Sequence, residues 1–201
     1  MSKKLLFKPG QGTGDDGKTD LLEGRRVSKT HPVVKLNAML DELNATLGIM
    51  KAYLYYRESC SEKKEKNCNQ ECGVEPETNE TMESSGKNVK NGTDTEINIV
   101  EIIEEIQKAL MKISAVNAGF KTDISPEFGQ IETYSRMLDE KVNPPRKFII
   151  PGANSAEAVA HMARTKTRLC EIAAWEAELP ETAKFLNRLS DLMFLIAIYL
   201  R

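Results

Sequence analysis

From Leu36 the apolar residues recur at Leu36, Leu40, Leu43, Leu47, Met50 and Leu54, in alternating steps of four and three. At 3.6 residues per turn that spacing lines one face of a long helix, and a helix with one apolar stripe has to bury it against other helices. The same period returns at Ile99, Ile103, Ile106, Leu110 and Ile113, and again at Phe128, Ile131, Tyr134 and Leu138. Ser125 is placed to cap the second of these segments, with Pro126 at its first position. Asn154 and Glu157 form a capping-box pattern for a helix running to about Leu179. Pro180 opens a last helix whose core face is Leu186, Leu189, Met193, Ile196 and Leu200. Five helices with no convincing strand and no internal repeat predict an all-α, up-and-down five-helix bundle.

Two stretches break the period. Between Arg57 and Thr95 only Val74, Met82 and Val89 are apolar besides cysteine. Such a composition buries too little surface to offset its ordering entropy, so 57–95 reads as a disordered, low-complexity insertion between the first two helices. Its Cys60, Cys68 and Cys72 are spaced by eight and four, with no CxxC pair and no histidine nearby. They read as reduced thiols on a loop, or, with a fourth ligand from elsewhere, as a metal or iron–sulfur site. The second break, "NPPRKFIIPG", is an extended connector, because prolines 144, 145 and 151 forbid helix on both sides.

A chain of 201 residues with 28 basic and 30 acidic side chains carries a net charge of −2. Residues 1–201 are expected to form one domain, and nothing in that charge recruits nucleic acid or an anionic membrane. No run approaches the roughly 20 apolar residues of a membrane span, and Leu5–Phe7 is too short for a signal peptide. A cytoplasmic protein is expected, with a small molecule or another copy of itself as partner.

Residues 12–19, "GTGDDGKT", spell a P-loop. A working P-loop needs a strand feeding the glycine turn and a helix leaving it. Here Pro9 and Gly10 interrupt the only candidate strand, and Gly24 and Pro32 leave no room for the helix. The segment still offers Thr13, Lys18, Thr19, Arg25, Arg26, Ser28 and Lys29 as donors. It reads as a flexible wrap for a triphosphate, with Asp15 or Asp16 available to the magnesium a nucleotide carries.

On the fourth helix His161, Arg164, Arg168, Glu171 and Trp175 recur at steps of three and four, with Val159, Met162, Leu169 and Ala173 assigned to an opposite, packing side. A solvated face with an Arg168–Glu171 pair is the plain reading. Asn187 and Asp191 lie one turn apart on the last helix. Asp41 interrupts the first helix's pattern, where it could fix an arginine for a ligand.

The segments "TGDDGKTDLLEGRRVSK", "MLDELNATLG", "KFIIPGANSAEAVAHMARTKTRLCE" and "FLNRLSDLMFLIA" together resemble the PduO-type ATP:corrinoid adenosyltransferases. The resemblance implies a five-helix bundle, a homotrimer with active sites between subunits, and an N-terminal loop that orders around ATP and magnesium. It implies transfer of the 5′-deoxyadenosyl group to the cobalt of a reduced corrinoid such as cob(I)alamin, with release of triphosphate. By the same resemblance Thr13, Gly14, Asp15, Gly17, Lys18, Thr19 and Lys29 contact ATP, and Arg168, Glu171 and Asn187 engage the nucleotide. Arg164 is then the essential arginine held by Asp41, and Phe148 closes the lower face of the corrin. Co(I) is itself a nucleophile, so the absence of an obvious Ser, Cys or His nucleophile fits this chemistry. Departures from the family pattern are "PGQG" before the loop, Leu169 and Ile172 in place of a denser arginine run, and an end at Arg201 before the usual tail. They motivate an alternative, a non-catalytic ATP or corrinoid carrier.

Overall fold

The structure, a computed structural model, describes residues 14–71, 97–144 and 148–201; for Glu23 and for residues 57–71 it describes the backbone alone. The helices are α1 Pro32–Glu71, α2 Ile99–Asn117, α3 Ser125–Asp139, α4 Ser155–Glu176 and α5 Pro180–Tyr199. Helix α4 packs along both α5 and α1, α1 also meets α2, and α3 lies against α5. Leu36, Leu40, Leu43, Leu47 and Met50 are all essentially inaccessible, as are Ile103, Ile106, Leu110, Ile113, Leu186, Leu189, Met193 and Ile196. The expected stripes of α1, α2 and α5 are therefore the core. Phe185 is enclosed with them and takes the edge of Phe128 at 5.4 Å between ring centroids.

Four local readings differ from expectation. The helix expected to end near Arg57 continues to Glu71, because Glu- and Lys-rich sequence propagates a helix without needing a buried face. The remainder of the expected insertion, with Cys72, lies outside the described residues, and the side chains of Cys60 and Cys68 do as well. A short antiparallel hairpin, β1 Lys18–Asp20 with β2 Arg26–Ser28, replaces the strandless N-terminal segment. At α3, Ser125 does not cap; Asp123 accepts from the Ser125 N–H and hydroxyl at 2.9 and 2.7 Å.

The fourth difference concerns α4. Its packing face is made of Ala156, Ala160, Ala163, Thr167, Cys170, Ala173 and Ala174. Small side chains let this helix approach α1 and α5 closely. The larger Met162 and Leu169, assigned to that face by spacing, are instead 40% and 56% exposed, while His161 is buried. A buried polar chain joins three helices: Asn37 Nδ2 donates to the Ser114 carbonyl, Asn117 Nδ2 to Asn37 Oδ1, and Thr182 Oγ1 to Asn117 Oδ1. Between α4 and α5 the chain turns through Glu178 at φ 56°, and the Leu179 N–H reaches back to the Ala174 carbonyl. That is the hydrogen-bond pattern of a left-handed helix stop.

Candidate active site

The N-terminal hairpin is built by its own charges and two glycines. Arg26 grips both oxygens of Asp16 at 2.9 and 3.0 Å, and the Lys18 N–H donates to Asp16 Oδ1 at 3.1 Å. The Arg26 hydrogen bond holds the Asp16 carboxyl below its ordinary range. Gly17, at φ 73°, closes a turn onto the Gly14 carbonyl, and the Lys29 N–H donates to the Gly17 carbonyl at 2.8 Å. The Lys29 ammonium lies over Gly14, 2.9 Å from where a Cβ would stand. Gly14, Gly17, Lys18, Thr19 and Lys29 thus belong to one small unit, in which Gly17-Lys18-Thr19 enters a strand and not the helix of a P-loop. The unit is tied to the bundle where the Leu22 N–H donates to the Ala118 carbonyl at the end of α2. Asp15 is exposed, whereas Asp16 is occupied by Arg26. Thr13 lies outside the described residues.

A second group of expected residues gathers on α4 and α5. The Arg164 guanidinium stacks on Phe194, 5.4 Å from the ring centroid. With Arg168 it lines a groove of about 290 Å³ bounded by Ser190, Asp191 and Phe194. On its other side Arg164 borders a cleft of about 600 Å³ with Phe148, Ile149, Pro151, His161 and Phe194. Phe148 and Ile150 are fully or largely exposed. Glu171 is half-buried and Asn187 exposed on the same two helices. No Arg168–Glu171 ion pair forms among the described residues.

Behind His161, which lines that cleft, the Glu157 carboxylate is completely buried. Its Oε2 accepts from the Gly152 and Ala153 N–H groups at 2.7 and 3.0 Å, while Oε1 receives Arg201 Nη1 at 3.2 Å. His161 Nε2 stands 3.4 Å from the same Oε1. Burial opposes ionisation of Glu157, but the two backbone N–H groups, with His161 and Arg201, outweigh it and hold the carboxyl below its ordinary value. Burial dominates at His161, whose pKa is lowered. Asn154 caps α4 by accepting the Glu157 N–H at 3.0 Å and donates to the Leu200 carbonyl at 2.7 Å. Half of the capping box read from the sequence is present: Asn154 caps the Glu157 N–H, while the Glu157 carboxylate takes the N–H groups one and two residues before the cap in place of the cap's own.

Asp41 is exposed on α1 and forms no ion pair with Arg164 within the chain. The α1–α4 seam is bridged instead by Glu42 and Lys166. Beside it, Lys29, Thr30, Val34, Lys35, Ala38, Met39 and Glu42 line a separate pocket of about 490 Å³. Lys29 of the N-terminal unit and the Arg164–Arg168 group therefore line different pockets. Phe194 escaped the sequence reading, although it continues the Asn187–Asp191 face by a further step of three.

Residues 11–74 and 77–200 match the cobalamin adenosyltransferase family. The chain belongs to that family. Among its curated relatives, the corrinoid adenosyltransferase PduO of Salmonella typhimurium is 29% identical over 198 residues, covering 92% of this chain and 47% of its own length. The chain thus spans about half of that relative. A corrinoid adenosyltransferase of Mycobacterium leprae is 27% identical over 206 residues, covering 92% of this chain and 86% of its own. The fold is that of a variant PduO-type ATP:corrinoid adenosyltransferase from Lactobacillus reuteri, solved with cobalamin and ATP. Its TM-score is 0.69 at 22% identity, over 96% of this chain and 93% of that one.

Proposed function

We propose that this chain transfers the 5′-deoxyadenosyl group of ATP to the cobalt of a reduced corrinoid, cob(I)alamin or a close relative, and releases triphosphate. Membership of the family supports the reaction class, and the exposed Phe148, lining one cleft with Arg164, supports the site. The cobalt attacks C5′, so the protein's task is alignment and compensation of charge on the leaving triphosphate. Thr13 and the residues of the N-terminal unit Gly14, Asp15, Gly17, Lys18, Thr19 and Lys29 hold ATP, and Arg164, Arg168, Glu171 and Asn187 face its reacting end. Phe148 covers the lower face of the corrin and keeps water off the cobalt. Magnesium arrives with ATP. Among the described residues no group of three His, Cys, Asp or Glu side chains is arranged to hold it, and Asp15 is the loop carboxylate left available to it.

The observation that carries the assembly is that, within one chain, Asp41 makes no ion pair with Arg164, and Lys29 lines a different pocket from the Arg164 group. We read the working unit as a homotrimer in which Asp41 of one copy holds Arg164 of the next. The outward Leu169, Ile172 and Trp175 on α4, each more than half exposed, supply apolar surface for that contact. The test mixes two inactive variants, Asp41→Ala and Arg164→Ala, under conditions that let subunits exchange. Random reassembly restores roughly a quarter of the interfaces and a matching share of turnover; no recovery despite confirmed mixed oligomers overturns the shared site. Leu169 and Ile172, exposed where the family pattern carries arginines, favour one other reading, an ATP or corrinoid carrier without turnover.

A further inference from the structure

The connector that brings Phe148 and Ile149 to the cleft is held by very little. Among the described residues, the hydrogen bonds made by residues 148–153 are the two from the Gly152 and Ala153 N–H groups, and both end on Glu157 Oε2. That carboxylate has no exposure to solvent; Arg201 donates to its other oxygen, and His161 Nε2 stands 3.4 Å from it without a hydrogen bond. Gly152, at φ 116°, takes a backbone conformation open to glycine and resisted by other residues, which lets the turn aim two consecutive N–H groups at one oxygen. Phe148 and Ile150 gain no position from packing either, since they are exposed.

We propose that Glu157 is a positioning residue for the corrinoid, acting through the Gly152 and Ala153 N–H groups to set where the connector presents Phe148 against the cleft. This placement rests on the adenosyltransferase reading of the cleft. Glu157 touches neither substrate. Its reach, and not its charge alone, is what matters: the oxygen has to stand within hydrogen-bond distance of two consecutive amides. Its hydrogen bonds and its close approach to His161 involve none of the residues proposed for ATP, so ATP affinity is expected not to depend on it.

The experiment compares Glu157→Gln, which keeps the length and an acceptor oxygen, with Glu157→Asp, which keeps the charge and withdraws the oxygen by one methylene. Binding of cob(II)alamin to the ATP-loaded protein is followed by its absorption spectrum, ATP affinity is measured separately, and helical circular dichroism monitors folding. The expected order is Gln close to wild type and Asp weakened about tenfold or more for cob(II)alamin, with ATP affinity unchanged in both. Hydrogen exchange at Gly152 and Ala153 accelerates in the Asp variant. Equal loss of ATP and cob(II)alamin binding, or an Asp variant that binds cob(II)alamin normally while those amides exchange faster, overturns the proposal. A wild-type protein that binds cob(II)alamin without forming adenosylcobalamin defeats the transfer reading alone, and the Gln-against-Asp order still decides the positioning role. A wild-type protein that does not bind cob(II)alamin defeats both.

Discussion

The Phe194 ring takes one face of the Arg164 guanidinium, and Arg164 lines both clefts. An arginine stacked in this way keeps its planar fork preorganised, which a lysine at the same position does not. Cys170 shows the opposite use of a polar atom. It is enclosed between α4 and the core, and burial pushes its thiol up to about 12, so the nucleophilic thiolate is absent at neutral pH. Alkylation at pH 8 followed by peptide mass mapping is expected to leave Cys170 unlabelled in the native protein and labelled once denaturant is added. Fast native labelling would show that α4 opens locally.

Among the elements, α4 depends most on its ends. Replacing Asn154 by Ala removes both the N-cap bond and the tie to Leu200, a loss of about 1 kcal/mol or slightly more, seen as a fall in Tm of roughly 2–4 °C for a chain of this size. An unchanged Tm would mean that the Glu157 clamp alone holds this end. At the other end Glu178 occupies a left-handed position normally taken by glycine. The helix count and the core faces of α1, α2 and α5 were legible in the sequence because Leu and Ile at steps of three and four mark burial directly. Helix α4 was misread because its buried face is alanine, threonine and cysteine, residues too small to signal a core by hydrophobicity, so the larger Met162 and Leu169 drew the assignment outward. The hairpin was missed because three-residue strands carry no periodicity; it is recognisable only from the Asp16–Arg26 grip. At the candidate site the polar face that carries Arg164 and Arg168 was legible from spacing, whereas their roles came only from the family resemblance. The buried Glu157–His161 pair was not, because neither its cap geometry nor its neighbours on the connector and at Arg201 follow from helix period.

For the whole molecule, acid is expected to act through the Glu157–His161 cluster. Both groups have folded pKa values below their ordinary ones of 4.5 and 6.5. A lowered folded value means that the unfolded chain binds the proton more readily, so the stability involved is complete above the ordinary pKa and lost as pH falls through the folded one. His161 therefore begins to withdraw stability below about pH 6.5, and Glu157 follows below about 4.5. Thermal unfolding across pH 4–8 is expected to show that descent, with the upper part reduced in His161→Gln; an identical profile in the variant would remove His161 from the account. None of the described helices is long and apolar enough to cross a membrane. The central claim, that this bundle joins adenosyl to cobalt, is tested most directly by mixing the protein with ATP, magnesium and cobalamin held as Co(I), and following the visible spectrum while triphosphate is assayed. The account predicts adenosylcobalamin and triphosphate in equal amounts, with both abolished in Arg164→Ala; binding of ATP and corrinoid with no adenosylcobalamin formed would contradict it.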